Sequence, residues 1–361
     1  MNKFLLLLVI SSLYFPVTAQ DKNLSQLTQS LCEKYKSFFP IGAAVSPRIL
    51  KSADSMLIIS QYNSLVPENH MKPMWIQPKE NEFKFENADY IVAFAKRHQM
   101  KMRGHTLVWH NQTPQWFFKE GDQTGSKEVL KERMKKHIQT VMSRYKDDVY
   151  AWDVVNETIS DQTGEYLRTS SPWYKILGED YLEMAFRYAR EAAPNAKLFY
   201  NDYNTCFPEK RGNIIKLIKS LQAKGIKIDG IGMQGHWKIG SPTKEQIETT
   251  IDQFAALGLT VQITELDVSV YQSDQDKQVE MTPELEQQQA DYYQMCFEVF
   301  RAKKDKISGV TFWGAADNTT WLNNFPVFNR KNYPLLFDTK LQPKKAFFQV
   351  VNFNPQTAPA L

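Results

Sequence analysis

Cysteine is scarce in this chain: three residues, Cys32, Cys206 and Cys296, are spread over 361 positions. An odd number at such distances is neither a disulfide framework nor a zinc-ligand pattern, so they read as small buried hydrophobes, with one bridge between two of them as the alternative. HExxH and HxH spacings are also missing, and no metal site is expected. A dinucleotide fold would want a Gly-rich loop after an early strand, and GxGxxG reads as absent, so no cofactor is expected. Nor is charge of one sign in excess: 44 basic residues face 40 acidic ones. No basic block carries interleaved aromatics, so no nucleic-acid partner is expected. Past the N-terminus no apolar run could span a bilayer. No repeat, low-complexity tract or Pro/Gly/Ser linker divides the chain.

The exception is the N-terminus itself, MNKFLLLLVISSLYFPVTAQDK. Lys3 gives a positive start, an apolar stretch follows, and Val17-Thr18-Ala19 ends it with cleavage-compatible residues. This reads as a secretory signal peptide over 1–19, with a retained anchor as the alternative. The mature chain is expected to be secreted or periplasmic, with one domain over 20–353 and a short tail over 354–361.

Within that domain, short apolar runs alternate with amphipathic stretches. Strands are expected at 41–45, 63–69, 101–109, 149–157, 197–202, 230–236, 261–268 and 309–314. Runs apolar on both faces suit parallel strands covered by helices. Helical spacing fills 87–98, 128–145, 179–192, 210–225, 243–258 and 283–302. Gly225 and Gly258 read as helix ends, and SPTKEQ as a helix start. The pattern predicts an α/β protein built as a single (β/α)₈ TIM barrel, with a doubly wound open sheet as the alternative. Trp75, Trp116, Trp152 and Trp173 read as core.

In such a barrel the chemistry gathers at the C-terminal ends of the strands. Polar residues fall there repeatedly: Glu68 and Asn69, His105 and Trp109, Asn156 and Glu157, Asn201 and Asp202, Gln234 and His236, Glu265 and Asp267, Trp313. Two hydrophobic runs, WDVVNE (152–157) and VQITELDV (261–268), each meet a glutamate, which aims two carboxylates at one place. Paired carboxylates among amides, imidazoles and indoles suit glycosidic bond cleavage: one acid protonates the leaving oxygen, the other attacks the anomeric carbon or activates water. Indole faces pack on sugar C–H groups.

GHTLVWH (104–110), WDVVNE (152–157), YNDYN (200–204), GIGMQGH (230–236), TELDV (264–268) and FWGAADNTTW (312–321), in this order, resemble glycoside hydrolase family 10, the endo-β-1,4-xylanases. ENHMKP (68–73) and LRTSSPWYKILGEDY (167–181) agree with it. The resemblance implies Glu157 as acid/base, Glu265 as nucleophile, His236 bonded to the nucleophile and Asp267 orienting that histidine. It implies Asn156 at the sugar 2-hydroxyl, and Glu68, Asn69 and Lys72, with His105, Trp109 and Gln234, around the glycone sugars. Trp313 and Trp321 would pack on those sugars and crowd a C6 hydroxymethyl group, and Tyr203 would lie on the leaving-group side. The expected partners are xylan and xylooligosaccharides, and a monomer is expected. The chain departs from the pattern at Thr320, where serine is usual, at Leu322, where arginine is common, and along LNNFPVFNRKNYPLLFD (322–338). The other readings are a retaining barrel glycosidase on another β-1,4-glycan, a glycan-binding relative without activity, and a metal-dependent barrel hydrolase.

Overall fold

A computed structural model describes residues 29–354. The expected leader (1–19) lies outside these residues, as does the expected tail (354–361) beyond Asn354. Eight strands form the centre: β1 (Ile41–Val45), β2 (Ser64–Pro67), β3 (Lys101–Trp109), β4 (Val149–Asn156), β5 (Lys197–Asp202), β6 (Gly230–Met233), β7 (Thr260–Ser269) and β8 (Ile307–Phe312). Each pairs in parallel with the next. β8 also pairs with β1, Ile41 opposite Val310, which closes the sheet. The fold is therefore a (β/α)₈ barrel, and a closed sheet leaves no edge unpaired.

A helix follows each strand: α1 (Asp54–Gln61), α2 (Glu86–Arg97), α3 (Lys127–Arg144), α4 (Asp180–Ala192), α5 (Pro208–Ala223), α6 (Lys244–Ala255), α7 (Pro283–Ala302) and α8 (Lys345–Val351). The six longer ones are those the periodicity marks. α1 and α8 span only eight and seven residues, too few turns for a 3.6-residue period to declare itself. α6 begins on a capping box: Thr243 Oγ1 accepts from Gln246 N, and the Gln246 side chain accepts from Thr243 N. Gly225 and Gly258 sit just past α5 and α6 with φ of 74° and 78°, as C-terminal glycines do.

The barrel interior is not wholly apolar. Arg103 on β3 donates twice to Asp153 on β4, at 2.5 and 2.6 Å, and its Nε donates to Gln262 on β7 at 2.7 Å. Both partners of this ion pair are buried. Trp152 and Trp173 are core residues, as expected, and Trp116 is half-buried. Trp75 is not: it is 48% exposed. It lies on the one-turn helix Pro73–Ile76 above the β2 end and packs against His70, ring centroids 5.3 Å apart. The three cysteines are buried and unpaired.

Residues 230–235 do spell a GxGxxG, but the first two glycines lie in a barrel strand. A Cβ on Gly232 would come within 2.1 Å of Asn201 Oδ1, so the position is bare to admit that amide. Gly235 has φ of 82°, a left-handed turn that glycine adopts at no steric cost. The expected strand 230–236 thus breaks after Met233, and His236–Lys238 resumes as a short strand beside Asp267–Ser269.

Candidate active site

The C-terminal rim of the barrel opens on a cleft of about 620 Å³. Most residues the sequence singled out line it; Asn201, Asp202 and Asp267 do not, being buried beneath it. Several backbone irregularities lie toward this rim. The β3–β4 register shifts between His105 and Val108, β4–β5 between Asp153 and Val155, and β7–β8 between Ile263 and Leu266. Bulges re-aim side chains, and the last of these brackets Glu265. At the end of β4 the device differs. Glu157 takes φ of 57° while its N–H still donates to Asn201 O at 2.9 Å. A glutamate in the left-handed region costs about 1–3 kcal/mol, retained only where surroundings fix it.

Glu157 is held by neutral donors. Trp109 Nε1 donates to Oε2 at 2.8 Å and Gln234 Nε2 to Oε1 at 2.9 Å. Burial pushes its pKa above the ordinary 4.5; the two hydrogen bonds pull it back, and the charge of Glu265 pushes it up again. Glu265 is more deeply buried, but its donors differ. Asn201 Nδ2 donates to Oε1 at 2.7 Å, His236 Nε2 lies 3.2 Å from Oε2, and His105 Nδ1 lies 3.9 Å from Oε1. Burial again pushes its pKa up. The charge of His105, then the bond and charge of His236, outweigh that and bring it below 4.5. His236 is itself kept cationic. Burial disfavours its charge, but Asp267, 3.0 Å from Nδ1, and Glu265 push its pKa up to about 10. Trp321 Nε1 also donates to Asp267, at 2.8 Å.

An amide chain links the two carboxyls. Gln234 Nε2 donates to Glu157 and also, at 3.3 Å, to Asn156 Oδ1. Asn201 Nδ2 donates to Asn156 Oδ1 at 2.8 Å and to Glu265. Asn156 thus accepts twice through its oxygen, which leaves its NH₂ to face the cleft. Asn201 stood in the sequence as one rim residue among others, with no role. Its contact to Glu265 crosses from β5 to β7, and only the space at Gly232 makes it possible.

On one flank, Lys72 is buried with its Nζ donating to Asn69 Oδ1 at 3.0 Å, 5.1 Å from the Trp109 ring centroid and 5.8 Å from that of Trp313. Burial lowers its pKa, and Glu265, Glu68 and Glu157 oppose that. His105 packs edge-on against Trp313, and its Nδ1 lies 2.9 Å from Asp153. The interior ion pair of Arg103 therefore anchors the second histidine beside Glu265, at 3.9 Å. On the other flank, the Tyr203 hydroxyl donates to Asp161 and accepts from Arg168 Nη2 at 3.0 Å, while Lys210 lies 4.4 Å from its ring centroid. Sequence spacing gave no sign of this cluster, because its members come from the β4–α4 connection, the β5–α5 connection and the first turn of α5. Thr320 caps its turn: its Oγ1 accepts from Leu322 N at 3.3 Å.

A closed parallel barrel with two glutamates at strand ends, one favoured as carboxylate and one as acid, in an indole-lined cleft, defines a glycoside hydrolase. Comparison with known proteins agrees. The sequence profile of glycosyl hydrolase family 10 matches residues 30–353, and the chain belongs to that family. It is 50% identical over 329 residues to the endo-1,4-beta-xylanase of Geobacillus stearothermophilus, covering 90% of this chain and 98% of that protein. It is 48% identical to endo-1,4-beta-xylanase B of Paenibacillus barcinonensis, covering 89% and 97%. The crystal structure of xylanase XynB from Paenibacillus barcinonensis, complexed with a conduramine derivative, superposes with a TM-score of 0.88 at 47% identity, covering 90% of this chain and 99% of that one.

Proposed function

We propose that this chain is a secreted endo-β-1,4-xylanase that cleaves internal xylosidic bonds by double displacement with net retention. The observation that carries the reading is the opposite bias of the two glutamates, Glu157 toward the acid and Glu265 toward the carboxylate. In the first step the Glu265 carboxylate attacks the anomeric carbon. The bond to the leaving sugar's oxygen breaks as Glu157 gives that oxygen its proton. The product is a glycosyl ester on Glu265. In the second step Glu157, now a carboxylate, takes a proton from water, whose oxygen displaces Glu265 from the anomeric carbon. Each carboxyl ends in its starting state.

The surroundings suit both steps. Trp109 and Gln234 fix Glu157 in either protonation state, since both are donors. The free NH₂ of Asn156 suits a sugar 2-hydroxyl, and Lys72 keeps donors beyond the one given to Asn69. Trp313 and Trp321 line the cleft and would crowd the hydroxymethyl arm that glucose has and xylose lacks; such a clash rejects glucan without new polar contacts. Secretion rests on the leader-like N-terminus. The cleft is complete within one chain, which suits a monomer.

Products from a panel of β-1,4-glycans should include xylooligosaccharides from xylan and little from cellulose or mannan; equal release from glucan would move the substrate class. Early-time NMR of xylooligosaccharide hydrolysis should show the β-anomer first, and a 2-fluoro xyloside should label Glu265 in a peptide map. Initial α-anomer, or label on another residue, would overturn the assignment of nucleophile.

A further inference from the structure

The loop after β8 carries a feature the reaction as derived does not use. Phe325 is 59% exposed, lines the cleft and belongs to neither the barrel core nor its satellite clusters. Its ring stacks on Trp321, centroids 5.4 Å apart and planes 19° apart. A phenyl kept at a polar rim, without core contacts, serves the one ring it covers. The stack occupies one indole face, so that face is no sugar platform. Trp321 is thereby held three ways: by its hydrogen bond to Asp267, by the His236 ring at 4.9 Å, and by Phe325.

The placement of Phe325 is itself secured. Arg330 N donates to Asn323 O at 3.0 Å, and Asn332 N donates to Asn323 Oδ1 at 2.8 Å, which pinches the loop into a neck on either side of Phe325. The Arg330 guanidinium is buried and ties that neck to the loop after β7: its Nη1 donates to Ser273 O, Asp274 O and Asp276 O, and it lies 4.0 Å from the Tyr271 ring centroid. None of these contacts involves the phenyl, so trimming Phe325 leaves the neck whole.

We propose that Phe325 is a specificity-positioning residue: by stacking on Trp321 it keeps the indole a fixed wall, and the preference for xylosides over glucosides depends on it. The proposal rests on the substrate reading above. A hydrogen bond at one edge lets an indole pivot; a stacked ring resists that motion, and only a wall that cannot yield makes a hydroxymethyl clash costly.

The test compares the full chain with its Phe325→Ala and Phe325→Tyr variants on aryl β-xylobioside and aryl β-cellobioside. In Phe325→Ala the xyloside-to-glucoside ratio of kcat/KM should fall about two- to tenfold, the range one aromatic pair is worth, chiefly through a gain on the cellobioside. The pH profile should not move, because Phe325 touches neither carboxylate. Phe325→Tyr keeps the stack and should keep the ratio. If the parent chain prefers xylosides and Phe325→Ala keeps that preference, the proposal fails while the substrate reading stands. It fails too if Phe325→Tyr loses the ratio as Phe325→Ala does. If the parent chain shows no xyloside preference, both fall together.

Discussion

Glu157 and Glu265 are the same residue type, carried by two parallel strands of one barrel and facing one cleft. Their ionisation is pushed in opposite directions. The more deeply buried of the two, Glu265, is the one whose carboxylate is favoured. Burial alone would give the reverse order. What differs is the charge of the donors. At the β4 end an indole and a primary amide hold Glu157 without adding charge. At the β7 end a histidine kept cationic by Asp267 sits beside Glu265, with a second histidine close by. The backbone differs too: β4 places its glutamate by a left-handed residue past the strand, β7 by a bulge within it.

Removing the charge at the β7 end should have the largest effect. Glu265→Ala should cut kcat by roughly 10⁴-fold or more on every substrate, because no other carboxylate can take the anomeric carbon. Steady-state rates on xylan and on an aryl xylobioside should fall alike. Glu157→Ala should break the comparison from the other side. Its cost should be roughly 10²–10⁴-fold on xylan, the range of general acid–base catalysis. It should be far smaller for the first step on aryl glycosides whose leaving group needs no proton. The alkaline limb of the kcat/KM profile, set by a pKa above 4.5, should vanish in that variant. A limb that persists would mean another group supplies the proton.

Much of this contrast was written in the sequence. Eight apolar runs marked eight strands, and the polar residues at the ends of most of them marked the rim, because a strand covered on both faces has few other places for Asn, His or Glu. Less visible was what depends on a third element. Asn201 reads as one rim amide until Gly232 is seen to leave room for it. Arg103 and Asp153 read as ordinary polar residues, yet they fill the barrel centre and hold His105. α1 and α8 are too short for their period to show. Trp75 reads as core because tryptophan usually is, but a one-turn helix turns it outward.

The barrel interior supports the β7 side of the comparison, and breaking it should be felt as stability. Asp153→Ala leaves the Arg103 guanidinium buried without its anion, which costs about 3–5 kcal/mol. A fall in Tm should accompany a loss of activity, since His105 loses its 2.9 Å partner. Replacing both Arg103 and Asp153 by apolar residues of similar volume should recover much of the stability and little of the activity. That split would separate the ion pair's structural share from its part in placing His105.

The smallest change is the most selective. Asp267→Asn keeps an oxygen for His236 Nδ1 and for Trp321 Nε1 but removes the charge. Burial, the largest influence on His236, then acts with less opposition, and its pKa falls from about 10. Glu265 loses part of the cation that favoured its carboxylate, so its pKa rises from below 4.5. The acid limb of kcat/KM should therefore move to higher pH, by about one unit for the weakening of one opposite charge. The alkaline limb should stay, because the donors to Glu157 are untouched. Stability gives an independent reading. The folded-state pKa of His236 is raised above its ordinary 6.5, so its contribution is fully present below that pH and is lost as pH climbs through about 10. Tm of the parent chain should carry a declining component over that window, and Asp267→Asn should flatten it. An unmoved acid limb with an unchanged Tm slope would mean that His236 is not the cation beside Glu265, and the contrast between the two strand ends would have to rest on His105.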